Sequence, residues 1–348
     1  MIAANTTLFG RLTEFARQRE FPVPDPSAPR WVHANPEADE VLKTAVLRSH
    51  MSFGRFRHLA WLEVNEQHYV ATIGFDYEVD DPGFDLLEDI QGYDVCLLTE
   101  LPVSPSASAA EVYNVVAADS RSSNPKYHGH DNTQIVALFP PVRVFASAEP
   151  IDDELIWPIF LSISSEESRN GGSWIESELA DRLCALADAN VDLLPYKELC
   201  RSTLDLDPRS LFMSLYRCVE ATYAHDKATK LKQGLSIEHE WQEIAEILEK
   251  EMSWRPLEAS SLNVVLAFAQ VDDLREVCEC LNVPLYKDTN LASAAGKAVY
   301  DLRNRIVHYR PALAPVESEE IDWNRLCNAL VSVAGDVFHS AYGQERAA

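Results

Sequence analysis

"TNLASAAGKAVYDLRNRIVHYR", residues 289–310, carries apolar side chains at three- and four-residue spacing. At about 100° per residue, Ala295, Val299, Leu302, Ile306 and Tyr309 fall in one stripe, the face that a helix turns toward a core. On the same projection Asn304 and His308 stack on the opposite, polar face with Asp301 and Arg305. Arg303 lies on the shoulder, where its long side chain can swing either way. Pro311 follows and stops the helix.

The same period runs through the neighbouring segments from "WIESELADRLCALADAN" to "EEIDWNRLCNALVSVAGDVFHSAYG", with Asp, Ser, Glu or Pro near each start. This half reads as a helical bundle. Between Arg57 and Ser164 the pattern differs: "HLAWLEV", "HYVATIGFDYEV", "YDVCLLTEL", "EVYNVVAA", "TQIVALFPPVRVFAS" and "LIWPIFLSI" are short runs separated by turn formers and read as strands. "FDLLEDIQ" and "PEADEVLKTAVLRSHM" read as helical, so this half is mixed and β-rich. The expected class is α+β, with a β-rich sensor or binding domain over 1–165, a helical connector over 166–194 and an all-α domain over 195–348.

Composition narrows the function classes. The chain of 348 residues holds 30 Lys and Arg against 55 Asp and Glu, a net charge of -25. Its overall field repels nucleic acid and anionic membrane, so any polyanion site must be local. The seven scattered cysteines form no C-x-x-C pair and suggest neither a disulfide framework nor structural zinc, which fits a reducing cytoplasm. No leader pattern opens the sequence, and no run of about 18 apolar residues appears, so neither secretion nor a membrane association is expected. P-loop, dinucleotide-binding and nucleophile-elbow patterns are absent.

"LRNRIVHYRP", residues 302–311, concentrates three arginines, an asparagine and a histidine. Dipole and solvent alone account for Arg and His at a helix C-terminus. However, the order Arg303, Asn304, three spacer residues and His308 resembles the signature of the HEPN superfamily. The resemblance extends over roughly residues 200–345, taking in "SLFMSLYRCVEATY", the small-residue approach "LASAAGKAVYDL" and the tail "HYRPALAP".

That resemblance implies a HEPN-like helical domain, a homodimer and a metal-independent RNase without cofactors. It further implies toxin or antiviral-defence biology, with RNA as substrate. The residue types suit the chemistry. Histidine titrates near neutrality and can move the 2'-hydroxyl proton, whereas arginine stays charged and offers a planar fork to phosphate oxygens. His308, Arg303 and Asn304 are therefore the candidate catalytic residues, with Arg305 and Arg310 adding positive charge. Glu220 in "YRCVEATY" is a supporting candidate as a partner of Arg303; an exposed helix glutamate, or one paired with Arg217, fits the sequence equally well. A ligand or protein sensed by the first domain is a further expected partner. The alternative is a non-catalytic HEPN module for dimerisation or for binding RNA or nucleotides. His128, His130 and Asp131 in "KYHGHDN" offer at most an incomplete ligand set, and solvent-facing loop residues are the simpler reading.

Overall fold

The structure, a computed structural model, describes residues 2–76, 79, 83–118, 126–308 and 321–342. The chain divides into two compact units, Met1–Ile156 and Trp157–Ala348. The first contains a five-stranded sheet with helices and the second contains helices, which makes the class α+β.

In the first unit the elements are α1 (Ile2–Arg17), α2 (Pro36–Thr44), β1 (Val46–Phe53), β2 (Arg57–Val64), β3 (Gln67–Ile73), β4 (Phe84–Leu86), α3 (Tyr93–Glu100), α4 (Ala109–Ala118), α5 (Asn132–Val136) and β5 (Val142–Ser147). The sheet order is β1-β2-β3-β5-β4 and every pairing is antiparallel. Asn65 and Glu66 both have positive φ between the paired Val64 and Gln67, the geometry of a tight hairpin whose twist matches its strands. Registers of Ala60 with Ala71 and of Ala71 with Val144 put Ala60, Leu62, Ala71, Ile73 and Val144 on one face. That face packs into a core with Leu8 and Leu12 of α1, Leu97 of α3 and Val112 of α4.

Three runs expected as strands are helices. "YDVCLLTEL" forms α3, "EVYNVVAA" forms α4, and "LIWPIFLSI" lies in α6 (Ile156–Glu167). Tyr93 to Thr99 are all buried in α3, so its sequence shows a continuous apolar run without the one-sided period that identifies a surface helix. For α4 the signal was present: Ser108 and Glu111 exchange the two hydrogen bonds of a capping box. Conversely, "FDLLEDIQ", expected as a helix, supplies β4.

The second unit continues with α7 (Ser177–Ala189), α8 (Tyr196–Thr203), α9 (Pro208–Ala221), α10 (His225–Leu235), α11 (Trp241–Met252), α12 (Glu258–Val265), α13 (Val271–Cys280), α14 (Leu291–Val307) and α15 (Trp323–Tyr342). The units divide at Ile156, before the expected residue 165. The expected connector carries α7, which bonds to α15 through Asn328 to Glu178 and through the Glu176 N–H to Asn324. Helices α9, α12 and α13 pack against α14, whose Ala295, Val299 and Leu302 are buried as projected. Gly296 lets α12 approach closely, because a Cβ there would lie 2.6 Å from Asn263 Oδ1.

Candidate functional site

The N-cap Asn290 opens α14 by accepting from the Ser293 N–H at 3.0 Å. The helix ends at Val307. Two β-branched residues, Ile306 and Val307, close it, and His308 takes an extended conformation with φ -105° and ψ 110° while its N–H still donates to the Asn304 carbonyl. The expected stacking of Asn304 and His308 along a continuous helix face is thereby corrected. Extended backbone at His308 turns the imidazole toward Arg303 instead.

Arg303 Nη1 donates to Asn304 Oδ1 at 3.0 Å and lies 3.4 Å from His308 Nε2. A guanidinium can only donate, so Nε2 faces it as the acceptor and the ring proton belongs on Nδ1. His308 is exposed and Arg303 largely enclosed, with 19% of its side-chain surface accessible. Its guanidinium carbon lies 5.8 Å from the centre of the Tyr216 ring on α9, and Nη2 lies 3.9 Å from Glu258 Oε1 on α12. Arg303 Nε is buried without a hydrogen-bond partner among the described residues. The cation is thus held by an aromatic face and a carboxylate, with its outer edge turned to Asn304 and His308.

Glu220 is half-buried on α9. Burial, followed by repulsion from Glu258, pushes its carboxyl above the usual range, while Arg303 and Arg217 pull it down. Arg303 therefore acts on Glu220 through its field, and the contact within ion-pair distance comes from Glu258. Glu258 and Tyr216 were not among the sequence candidates: an acid in a helix's first turn is explained by the dipole, and Tyr216 sits in an apolar stripe. The Tyr216 hydroxyl accepts from Tyr223 at 3.2 Å, and burial pushes both phenols up.

Arg305 is half-buried. Arg310 and Tyr309 lie outside the described residues. Ile306, projected into the core, is only half-buried and borders a polar groove of about 540 Å³ with Arg217 and Ser214. In the first unit, His130 is buried against Phe9 and Tyr127, His128 is exposed, and Asp131 caps α5. Among the described residues no group of three or more His, Cys, Asp or Glu is arranged to hold a metal ion, and no helix is long and apolar enough to cross a membrane. No protein-family model, curated protein or solved structure matches the chain.

Proposed function

We propose that the second unit is a metal-independent endoribonuclease of the HEPN type. The observation that carries this reading is the convergence of Arg303, Asn304 and His308 at the end of α14, with Arg303 Nη1 beside both Asn304 Oδ1 and His308 Nε2. A substrate phosphate that draws the guanidinium to itself releases Nε2 to accept the 2'-hydroxyl proton. The 2'-oxygen then bonds to phosphorus, the bond from phosphorus to the 5'-oxygen breaks, and that oxygen takes up a proton. The products carry a 2',3'-cyclic phosphate and a 5'-hydroxyl. Arg303 stabilises the charge that develops on the phosphate oxygens.

One chain offers one motif histidine, whereas the reaction needs a base and an acid. A two-fold homodimer supplies His308 twice, and it doubles Arg303, Arg305 and Arg310 around one phosphate. In this reading RNA is the substrate, the compartment is the cytoplasm, and the biological role is that of a toxin or defence effector.

The test is incubation of the full chain with total RNA and EDTA. Wild type should yield fragments ending in 2',3'-cyclic phosphate. His308→Ala and Arg303→Ala should each cut at least about a hundredfold more slowly, the usual scale for a lost proton-transfer group or charge stabiliser. Cleavage unchanged in both variants, or none by wild type, sinks the proposal. A non-catalytic interaction module is the second reading, favoured by the net charge of -25 and by the Glu258 carboxylate beside Arg303. RNA retained by wild type but left intact would select it.

A further inference from the structure

We propose that the first unit binds a nucleotide-sized organic polyphosphate in the groove between α1 and residues 102–105. Residues 1–156 carry eleven Lys and Arg against twenty-four Asp and Glu, yet Arg11, Arg19 and Arg55 all line this one groove of about 690 Å³. The one carboxylate among the described lining residues, Glu14, already accepts from Arg17 and Gln18. An anion entering the groove therefore meets a local excess of guanidinium, the group best shaped to bind phosphate.

The Arg11 guanidinium and the backbone that carries Arg55 are fixed in place. Arg11 Nη1 donates to the carbonyls of Leu98 and Leu101 at 3.1 and 2.7 Å, which leaves its other nitrogens for a ligand. Arg55, at the tip of the β1–β2 hairpin, accepts at its carbonyl from the Ser104 N–H at 3.0 Å, tying the tip to the opposite wall. That wall contributes Pro102 and Pro105, apolar surface suited to a ring system, and the volume falls within the range of small-molecule sites.

Gly10 is an independent indication. It sits inside α1, where glycine weakens a helix, and no atom outside the helix lies within 4 Å of where its Cβ would stand. Packing does not call for glycine there. Room for a ligand to approach the helix backbone does, since Gly10 lines the groove.

The test is isothermal titration of the full chain with ATP, with adenosine and tripolyphosphate as the two halves of the probe. ATP should bind one per chain, at least tenfold more tightly than either half. Gly10→Glu, which improves helix propensity while placing a carboxylate in the groove, and Arg55→Glu should each weaken ATP binding at least tenfold, with the thermal melt of Gly10→Glu reporting an intact fold. The proposal is overturned by absence of ATP binding, by unchanged affinity in either variant, or by tripolyphosphate binding as tightly as ATP. Every lining residue belongs to the first unit, so the outcome is independent of the ribonuclease reading.

Discussion

Two glutamates share the field of one guanidinium, and their competition gives a residue-scale test of the site. Glu258 lies 3.9 Å from Arg303 and also repels the half-buried Glu220, whose carboxyl is raised first by burial and then by that repulsion. Glu258→Gln removes the repulsion and leaves Glu220 as the acidic neighbour of Arg303, so the Glu220 carboxyl should titrate at lower pH than in wild type. Carbon-13 NMR of the Glu220 carboxyl reads this directly; an unchanged or higher midpoint would show that the two carboxylates do not interact. The stability change should stay within about 1 kcal/mol, because Glu258 is partly exposed and a half-solvated ion pair contributes little. Arg303, Asn304 and His308 were legible because they are neighbours in sequence. Glu258 was not, because only tertiary packing of α12 against α14 brings it there. The turn of His308 toward Arg303 was equally hidden, since period alone does not say where a helix stops.

At the scale of elements, glycines at two kinds of position should respond to the same substitution with opposite sign. Gly10 lies inside α1 with open space at its Cβ position, so Gly10→Ala should raise the stability of the first unit by about 0.5–1 kcal/mol through helix propensity. Gly74 follows β3 at φ +70°, and a Cβ there would fall 2.2 Å from the Phe56 carbonyl oxygen. Backbone must move, so Gly74→Ala should cost at least about 1–3 kcal/mol. Thermal unfolding of the two variants beside wild type checks the pair; a fall for Gly10→Ala or no loss for Gly74→Ala contradicts the local geometry. The same contrast between local signal and tertiary context explains which elements could be read. Strands β2 and β3 announce themselves through β-branched and aromatic runs on either side of a tight turn, whereas α3 is enclosed on every side and presents no polar face to set its period. The helical period that runs through residues 207–233 is interrupted at Thr222, whose hydroxyl donates to the Val219 carbonyl where α9 ends.

For the molecule as a whole, an excess of carboxylates makes acid pH the informative variable, and two buried groups of the first unit pull in opposite directions. Asp94 is 1% exposed; burial lifts its carboxyl to about 6, with Asp89 adding a small push and with Asn132 and the N–H groups of Val95 and Gly92 opposing. Because the folded state holds this proton more tightly than the unfolded chain, the stabilisation is full below about 3.8 and is lost as pH rises through about 6. His58, fully buried and bonded to Ser52 and to the Arg55 carbonyl, is held below its usual range by burial. Its contribution has the other sign: present above about 6.5, lost as pH falls. Asp94→Asn separates the two. Asn132 Oδ1 is buried without a partner, so a flipped Asn132 amide can accept from the new side chain while the helix-start N–H bonds to the retained oxygen persist. The chain is isoelectric near 4.7, which makes pH 5 the lower end of a soluble window. Between pH 5 and 7 the stability of wild type relative to Asp94→Asn should fall by about 1.3 kcal/mol, the linkage expected for a carboxyl titrating near 6. Hydrogen exchange of the β2 amides, corrected for intrinsic rates at each pH, reports this for the first unit alone. A flat difference across the window would mean that Asp94 is not the buried acid described, and a rising one would mean that its carboxylate is stabilised by the fold.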